Sequence, residues 1–135
     1  VKAVIKEIVS DCKELEKEGV RSVAIMSNDT INYPDDSFDK MIEFSNDNNF
    51  NFPYLIDETQ SIAKKYDAVC TPDFFGYNNN LELQYRGRIR ELKNLEPVQS
   101  GESDLLKAMK MIAKSGQGPK DQLPSMGCNI KWFKN

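Results

Sequence analysis

The stretch from residue 68 to residue 75 constrains the fold more than any other part of the chain. Its sequence, Ala-Val-Cys-Thr-Pro-Asp-Phe-Phe, places Pro72 just before an apolar run that predicts a buried strand. Proline has no N–H to give to a sheet ladder, so it belongs at or just before the first residue of a strand. The Thr71–Pro72 bond at such a corner can be cis. Cys70 adds a thiol beside the corner, which indicates a redox or substrate-docking site.

Composition excludes several classes of site. The chain has 135 residues, the size of one domain, and a net charge of −3 with mixed signs, which argues against nucleic acid as a main partner. It contains no histidine, which excludes histidine triads and histidine metal ligands, and no Cys-x-x-Cys pair. No apolar run approaches the ~20 residues that cross a membrane. The sparse cysteines favour a cytoplasmic protein, and neither a metal nor a cofactor is expected.

The first predicted helix has no visible beginning. Apolar residues at i, i+3 and i+4 spacing over residues 1–15 predict an amphipathic helix, which Gly19 ends as a C-terminal cap. No capping residue precedes this helix, and Lys2 lies at the positive end of its dipole. We therefore expect that the natural protein has residues upstream of Val1.

Three further helices are predicted from caps and apolar spacing. Asp35 or Asp36 is expected to cap the second helix. Asp57 and Gln60 have the spacing of a capping box at the start of the third helix. In the last helix, over residues 105–112, Leu and Met side chains share one apolar face.

Short apolar runs between these helices predict the strands. Residues 22–26 form a continuous apolar run typical of a parallel strand buried on both faces, and residues 52–56 predict another short strand. Residues 73–77 and 81–86 predict an antiparallel hairpin with an asparagine turn at 78–80. The order predicts a mixed α/β sheet with helices on both faces.

This order of elements, with an X-Pro corner before the first hairpin strand, resembles the thioredoxin fold. The chain is most similar to the peroxiredoxin-like branch of the AhpC/TSA group, in which a cysteine aligns with the first thiol of the thioredoxin active-site pair. The matching segments span nearly the whole chain: residues 27–29, 33–36, 52–55, 57–60, 68–75, 85–88 and 124–132.

The resemblance implies a division of the chain and an upstream active-site loop. Residues 1–115 would form a thioredoxin-like domain, on which the tail of residues 116–135 docks through Ile130, Trp132 and Phe133. A strand and a loop with the main nucleophilic cysteine would precede Val1. That strand would lie between the strands at 22–26 and 73–77.

The function implied by the resemblance is thiol-dependent redox chemistry of the antioxidant type. The partners would be a protein thiol or disulfide, or a peroxide, together with a thiol reductant, and homodimer formation is left open. A redox-inert thioredoxin-fold module that binds an extended peptide is the alternative. A thiol metal chaperone is disfavoured, because histidine and paired cysteines are absent.

Two cysteines are candidate resolving thiols. Cys70 adjoins the docking corner, although a free cysteine there is also read as a small buried hydrophobic residue. Cys128 lies in the tail, and a disulfide between Cys70 and Cys128 stays open at this point. Cys12 lies on the apolar face of the first helix and is assigned to the core.

Four more residues are candidates for substrate binding. The resemblance makes Thr71 and Pro72 the corner that holds a partner's extended segment. Arg86 either lowers the pKa of a thiolate or binds an anionic substrate, or it simply faces solvent. Asn28 follows a strand at the sheet edge where α/β proteins bind ligands, although hydrogen bonding within the loop explains it equally well.

Overall fold

The computed structural model describes residues 1–134. Helices and short strands are mixed along the chain, which confirms the α/β class. In order they are α1 (Ile5–Lys17), β1 (Ala24–Met26), a 3-10 turn (Pro34–Asp36), α2 (Phe38–Asp47), β2 (Tyr54–Ile56), α3 (Ser61–Lys65), β3 (Cys70–Thr71), β4 (Phe74–Tyr77), β5 (Leu83–Gly87), β6 (Leu92–Lys93), β7 (Glu96–Pro97), α4 (Asp104–Ser115) and β8 (Cys128–Asn129). No helix within residues 1–134 has the length and apolar character needed to span a membrane.

The strands pair two by two. Strands β1 and β2 are parallel, whereas the pairs β4–β5, β3–β8 and β6–β7 are antiparallel. Within residues 1–134 no ladder joins β1 to β4, so the strands form small sheets and not one continuous mixed sheet. The gap between β1 and β4 is where the resemblance implies a strand upstream of Val1, and that strand stays a prediction. Strand β1 is also not buried on both faces, since Met26 is 7 % exposed but Ile25 is 41 % exposed.

The main core lies between α1, β5 and α4. Tyr85 of β5 is almost fully buried, and its hydroxyl donates a hydrogen bond of 2.6 Å to the carbonyl of Arg88. The apolar face predicted for the last helix is confirmed, since Leu105, Leu106, Met109 and Ile112 all enter this core. The buried members are Val4, Leu15, Tyr85, Ile89, Leu105, Leu106, Ala108, Met109 and Ile112.

A second apolar group lies beside β2 and consists of aromatic rings. Phe50 is at its centre, with ring centroids 5.7 Å from Phe44, 4.6 Å from Phe52 and 5.2 Å from Tyr54. Tilted and edge-on rings at these distances are the favourable aromatic geometries. We call these four residues the aromatic cluster; it packs the end of α2 and the following loop against β2.

The helix ends agree with the sequence in part. Gly19 follows α1 with a φ of +80°, a conformation that glycine adopts without steric cost and that suits a helix end, as predicted. The second helix is capped by Ser37, whose hydroxyl accepts a hydrogen bond of 3.3 Å from the backbone N–H of Lys40. The predicted caps Asp35 and Asp36 were wrong, because both belong to the preceding 3-10 turn.

The start of α3 differs from a capping box. The carboxylate of Asp57 does cap this helix, since it accepts hydrogen bonds from the N–H groups of Ile62 (3.2 Å) and Ala63 (2.9 Å). Burial raises the pKa of Asp57, but these two bonds and one from Ser27 outweigh it and hold the pKa below its ordinary value. Gln60 has a φ of +64° and its side chain turns away from the helix, so the predicted capping box was wrong.

Buried polar groups join α1 to the start of α4. Ser103 caps α4 by accepting a hydrogen bond of 2.9 Å from the N–H of Leu106, and its hydroxyl donates one of 2.6 Å to Asp11 of α1. Both residues are buried, Ser103 at 1 % and Asp11 at 5 % exposure. Burial raises the pKa of Asp11, and the hydrogen bond from Ser103 opposes this effect.

Candidate functional site

The proline corner lies between β3 and β4, and the tail crosses it. The Thr71–Pro72 peptide bond is cis. In the antiparallel β3–β8 ladder, Cys70 is opposite Asn129 and Thr71 is opposite Cys128. The hydroxyl of Thr71 also donates a hydrogen bond of 3.4 Å to the carbonyl of Cys128. The fold thus brings four predicted site residues together: Cys70, Thr71, Pro72 and Cys128.

The register of this ladder keeps the two candidate thiols apart. Successive side chains on a strand point to opposite faces, and directly opposite residues share a face. Because Thr71 is opposite Cys128, the side chains of Cys70 and Cys128 lie on opposite faces of the ladder. Both thiols are free. A disulfide between them is incompatible with this register, because the Cβ vectors point apart.

The Cys70 thiol is held in its protonated form. The residue is only 8 % exposed, and its sulfur lies 3.7 Å from the carbonyl oxygen of Pro72, to which it donates weakly. Burial raises the pKa of Cys70, the charge of Asp73 raises it further, and Arg86 opposes both. These surroundings favour the structural interpretation of Cys70, since nucleophilic thiols lie in electropositive and accessible positions.

The Cys128 thiol differs from the other two because it is exposed. Cys12 is buried in α1, and its burial raises the pKa of the thiol. Cys128 is therefore the accessible thiol among residues 1–134, and it is placed against the proline corner by main-chain pairing with Thr71.

Arg86 is engaged with groups of its own domain. Its guanidinium lies 3.7 Å from a carboxylate oxygen of Asp73, donates to the carbonyl of Asp67 and stacks 5.0 Å from the ring centroid of Phe75. The Asp73 side chain is 5 % exposed. A pocket of about 270 Å³ beside this pair is lined by Asp73, Arg86, Gln122 and Ser125 among others. Because Asp73 neutralises Arg86, the pair favours a structural role over anion binding.

Asn28 uses both ends of its amide within the protein. The side-chain oxygen accepts a hydrogen bond of 2.9 Å from the N–H of Lys131, and the side-chain nitrogen donates one of 3.1 Å to Asp36. The next residue, Asp29, donates its backbone N–H to the carbonyl of Lys131 at 2.8 Å. Asn28 and Asp29 therefore hold the tail at the carboxyl end of β1.

Gln60 is a site residue that the sequence did not reveal. Its side chain is almost fully buried and donates to the carbonyls of Ser27 (2.8 Å) and Lys131 (2.9 Å), while its oxygen accepts from the N–H of Phe133 (3.0 Å). The partners lie 33 to 73 positions away along the chain, so no local spacing indicates them. Two signals were present in the sequence at this position, the wrong capping-box interpretation and the match of residues 57–60 to the family, and neither indicated these partners.

Comparison with known proteins identifies the family. The sequence model of the AhpC/TSA family matches residues 1–92, which include the corner, β3, β4 and β5. The chain belongs to the AhpC/TSA family. This is a thioredoxin-like, peroxiredoxin-related family, as the resemblance in the sequence implied.

Two solved structures resemble this AhpC/TSA chain over its whole length. An uncharacterized conserved protein from Geobacillus kaustophilus is 38% identical, with a TM-score of 0.92, and the match covers 100% of this chain and 71% of that one. A hypothetical protein from Sinorhizobium meliloti 1021 is 32% identical, with a TM-score of 0.90, over 100% of this chain and 74% of that one. The tail is thus part of the shared structure. No curated protein matches the chain significantly.

Proposed function

We propose that this chain belongs to a thiol-dependent redox protein that reduces a disulfide or a peroxide. Membership of the AhpC/TSA family supports the reaction class. The observation that carries the proposal is the position of Cys128, an exposed thiol held opposite Thr71 at the proline corner. The partners are a disulfide or peroxide substrate and a thiol reductant.

The chemistry needs two thiols, of which Cys128 is the second. The family resemblance implies that the first, the principal nucleophile, lies in a loop upstream of Val1. Its thiolate attacks one sulfur of a substrate disulfide, forms a mixed disulfide and releases the other sulfur as a thiolate. With a peroxide, it attacks one oxygen and becomes a sulfenic acid, and the other oxygen leaves as hydroxide or alkoxide, which takes a proton from solvent.

Resolution is the step that we assign to Cys128. Its thiolate attacks the nucleophile's sulfur, forms an intramolecular disulfide and releases the substrate thiolate, or, in the peroxide case, hydroxide that takes a proton from solvent to become water. A thiol reductant then restores both thiols. Cys70 is the second candidate for this step, but it has to leave its buried position before its sulfur reaches another thiol.

The test uses the full natural protein and two matched variants. Reduction of a model disulfide and of hydrogen peroxide is followed with a thiol reductant for wild type, Cys128→Ser and Cys70→Ser. We expect turnover in the wild type and near-normal turnover in Cys70→Ser. Cys128→Ser should lose turnover and accumulate a mixed disulfide with the disulfide substrate, or a sulfenic acid with hydrogen peroxide. A wild type with neither turnover nor a redox-linked mass change overturns the enzyme proposal.

A redox-inert peptide-binding module is the second candidate function. It is supported by the edge of β3, which pairs with the extended tail segment through main-chain atoms. Such a module would bind extended peptides and show no change in thiol state, so the same assays separate the two candidates.

A further inference from the structure

We propose that residues 117–125, which we call the edge cover, keep the outer edge of β5 from pairing with β5 of a second copy of the chain. Gln122 is the residue that closes this edge, because its side chain takes the place of a neighbouring strand. The inference concerns self-association and does not rest on the redox proposal.

Strand β5 has one edge that no other strand pairs with. Within residues 1–134 it forms a ladder with β4 alone. At five residues it is also the longest strand among these residues. An open strand edge presents a row of N–H and C=O groups to which the strand of another molecule can add. The outer edge of β5 therefore needs a cover if the chain is not to associate through it.

The side-chain amide of Gln122 bonds this edge in the manner of a strand residue. Its oxygen accepts a hydrogen bond of 2.9 Å from the N–H of Arg86, and its nitrogen donates one of 2.7 Å to the C=O of Gln84. In a parallel ladder, one residue likewise bonds a C=O and an N–H that lie two positions apart on the neighbouring strand. Gln122 thus satisfies main-chain groups that an incoming strand would need.

The edge cover extends along β5 on both sides of Gln122. In one direction, the N–H of Arg88 donates a hydrogen bond of 3.0 Å to the C=O of Leu123. In the other, the N–H of Gly118 donates one of 3.2 Å to the side chain of Gln84. A β-carbon at position 118 would overlap the carbonyl oxygen of Gln84, so the chain passes closer to β5 than any residue except glycine allows.

The outer surface of the edge cover does not offer a new edge. Pro119 and Pro124 have no N–H to donate, and Lys120 and Asp121 are charged and exposed. The Gln122 nitrogen also donates a hydrogen bond of 3.0 Å to the C=O of Pro119, which fixes the amide from within the cover. None of the residues of the cover, all of which the structure describes, belongs to a strand. Proline, charge and a covering loop are the means by which proteins protect strand edges.

A second copy of β5 is the partner that fits an uncovered edge. Two identical edges can pair around a two-fold axis, because each offers the other the same N–H and C=O groups. Charge favours the antiparallel direction, since Glu82 lies just before β5 and Arg86 lies near its end. Antiparallel pairing places these unlike charges near each other, whereas parallel pairing places like charges together.

Self-association of the full natural protein tests the role of Gln122. Sedimentation velocity is measured over a wide range of concentrations for the wild type, Gln122→Ala and Gln117→Ala. Gln117 is the matched control, because it is exposed and its hydrogen bonds are main-chain bonds with Ser115. We expect the wild type and the control to keep one mass, and Gln122→Ala to rise about twofold in mass as its concentration rises.

Amide hydrogen exchange at Arg86 distinguishes edge pairing from a loss of the fold. In dilute Gln122→Ala, this amide should exchange about tenfold faster than in the wild type, because its acceptor is gone. Its protection should return when the dimer forms. The amides of α4 should stay protected at all concentrations, which would show that the core is intact.

Gly118→Ala opens the edge through a different contact and should form the same dimer. This variant decides the question if α4 loses protection in Gln122→Ala. The proposal is overturned if folded Gln122→Ala keeps the wild-type mass, if it associates without renewed protection of Arg86, or if Gln117→Ala associates equally. Loss of α4 protection in both cover variants would show that the segment belongs to the core and would also overturn it. No variant removes a thiol, so the redox proposal fails or stands separately.

Discussion

Thr71 and Cys128 lie directly opposite each other in the β3–β8 ladder, and their side chains share one face. Cysteine at position 71 should therefore reach Cys128, whereas native Cys70 should not. We expect Thr71→Cys to form an intramolecular disulfide under mild oxidation and the wild type to keep its thiols free. Intact-mass measurement without reductant checks this through the loss of two hydrogen masses. Efficient formation of a disulfide between Cys70 and Cys128 in the folded wild type would contradict the register.

Cys128 should react first with an alkylating reagent. It is exposed, whereas Cys12 and Cys70 are buried and their burial raises the pKa of each thiol. We expect one rapid addition of iodoacetamide to the native protein and two slow ones that become rapid in denaturant. Peptide mapping by mass spectrometry identifies the modified residue. The control Cys128→Ser should lose the rapid phase, and a rapid phase that survives would show that Cys70 or Cys12 is accessible.

Ser103, the cap of α4, should contribute more to stability than Ser37, the cap of α2. Ser103→Ala removes the cap of α4 and also leaves the buried carboxyl of Asp11 without its hydroxyl donor. We expect the free energy of unfolding to fall by roughly 2–3 kcal/mol, measured in urea. Ser37→Ala is the matched control, because Ser37 caps α2 at an exposed position, and about 1 kcal/mol is expected there. Equal losses would mean that the Asp11 contact contributes nothing.

Asp57 and Asp11 should give opposite pH dependences of stability. The folded pKa of Asp57 lies below its ordinary value of 3.8, so its stabilisation is present above that pH and is lost as the pH falls through the folded pKa. The folded pKa of Asp11 is raised, so its ionisation destabilises the fold as the pH rises from 3.8 through the folded pKa.

The two asparagine variants isolate these effects. Asp57→Asn should lower stability at pH 7 and flatten the acid limb of the curve of unfolding free energy against pH. Asp11→Asn, which keeps an acceptor for Ser103, should instead remove a penalty at pH 7. Urea denaturation from pH 3 to pH 7 measures both, and parallel curves for the two variants would contradict the assigned directions.

The sequence predicted the parts of the fold that depend on local patterns. Gly19 ends α1, and the apolar face of α4 packs in the core. Both were predictable because a helix cap and the spacing of a helix face depend only on residues close together in the sequence. The family resemblance was confirmed by the match over residues 1–92. The grouping of Cys70, Thr71 and Pro72 at the corner was also predictable, because the three residues are consecutive in the sequence.

Contacts between residues far apart in the sequence could not be predicted from local patterns. Gln60 has the spacing of a capping box, but its hydrogen bonds go to Ser27, Lys131 and Phe133, and a spacing rule cannot indicate them. The register that separates Cys70 from Cys128 is likewise set by how the tail meets β3. Ile25 lies in an apolar run, yet its exposure depends on which elements cover each face of β1.

The separation of the main core from the aromatic cluster has a consequence for how the molecule opens. The two groups share no strand ladder within residues 1–134, so the hydrogen bonds of β1 and β2 are not continuous with those of β4 and β5. For this chain without the strand expected upstream of Val1, amide hydrogen exchange should then resolve two cooperative units, with the amides of β1 and β2 exchanging through a smaller opening than those of α4 and β5. The tail bonds to Asp29, next to β1, and to Thr71, next to β4. Release of the tail would therefore remove a link between the two units and let the unit of β1 and β2 open first.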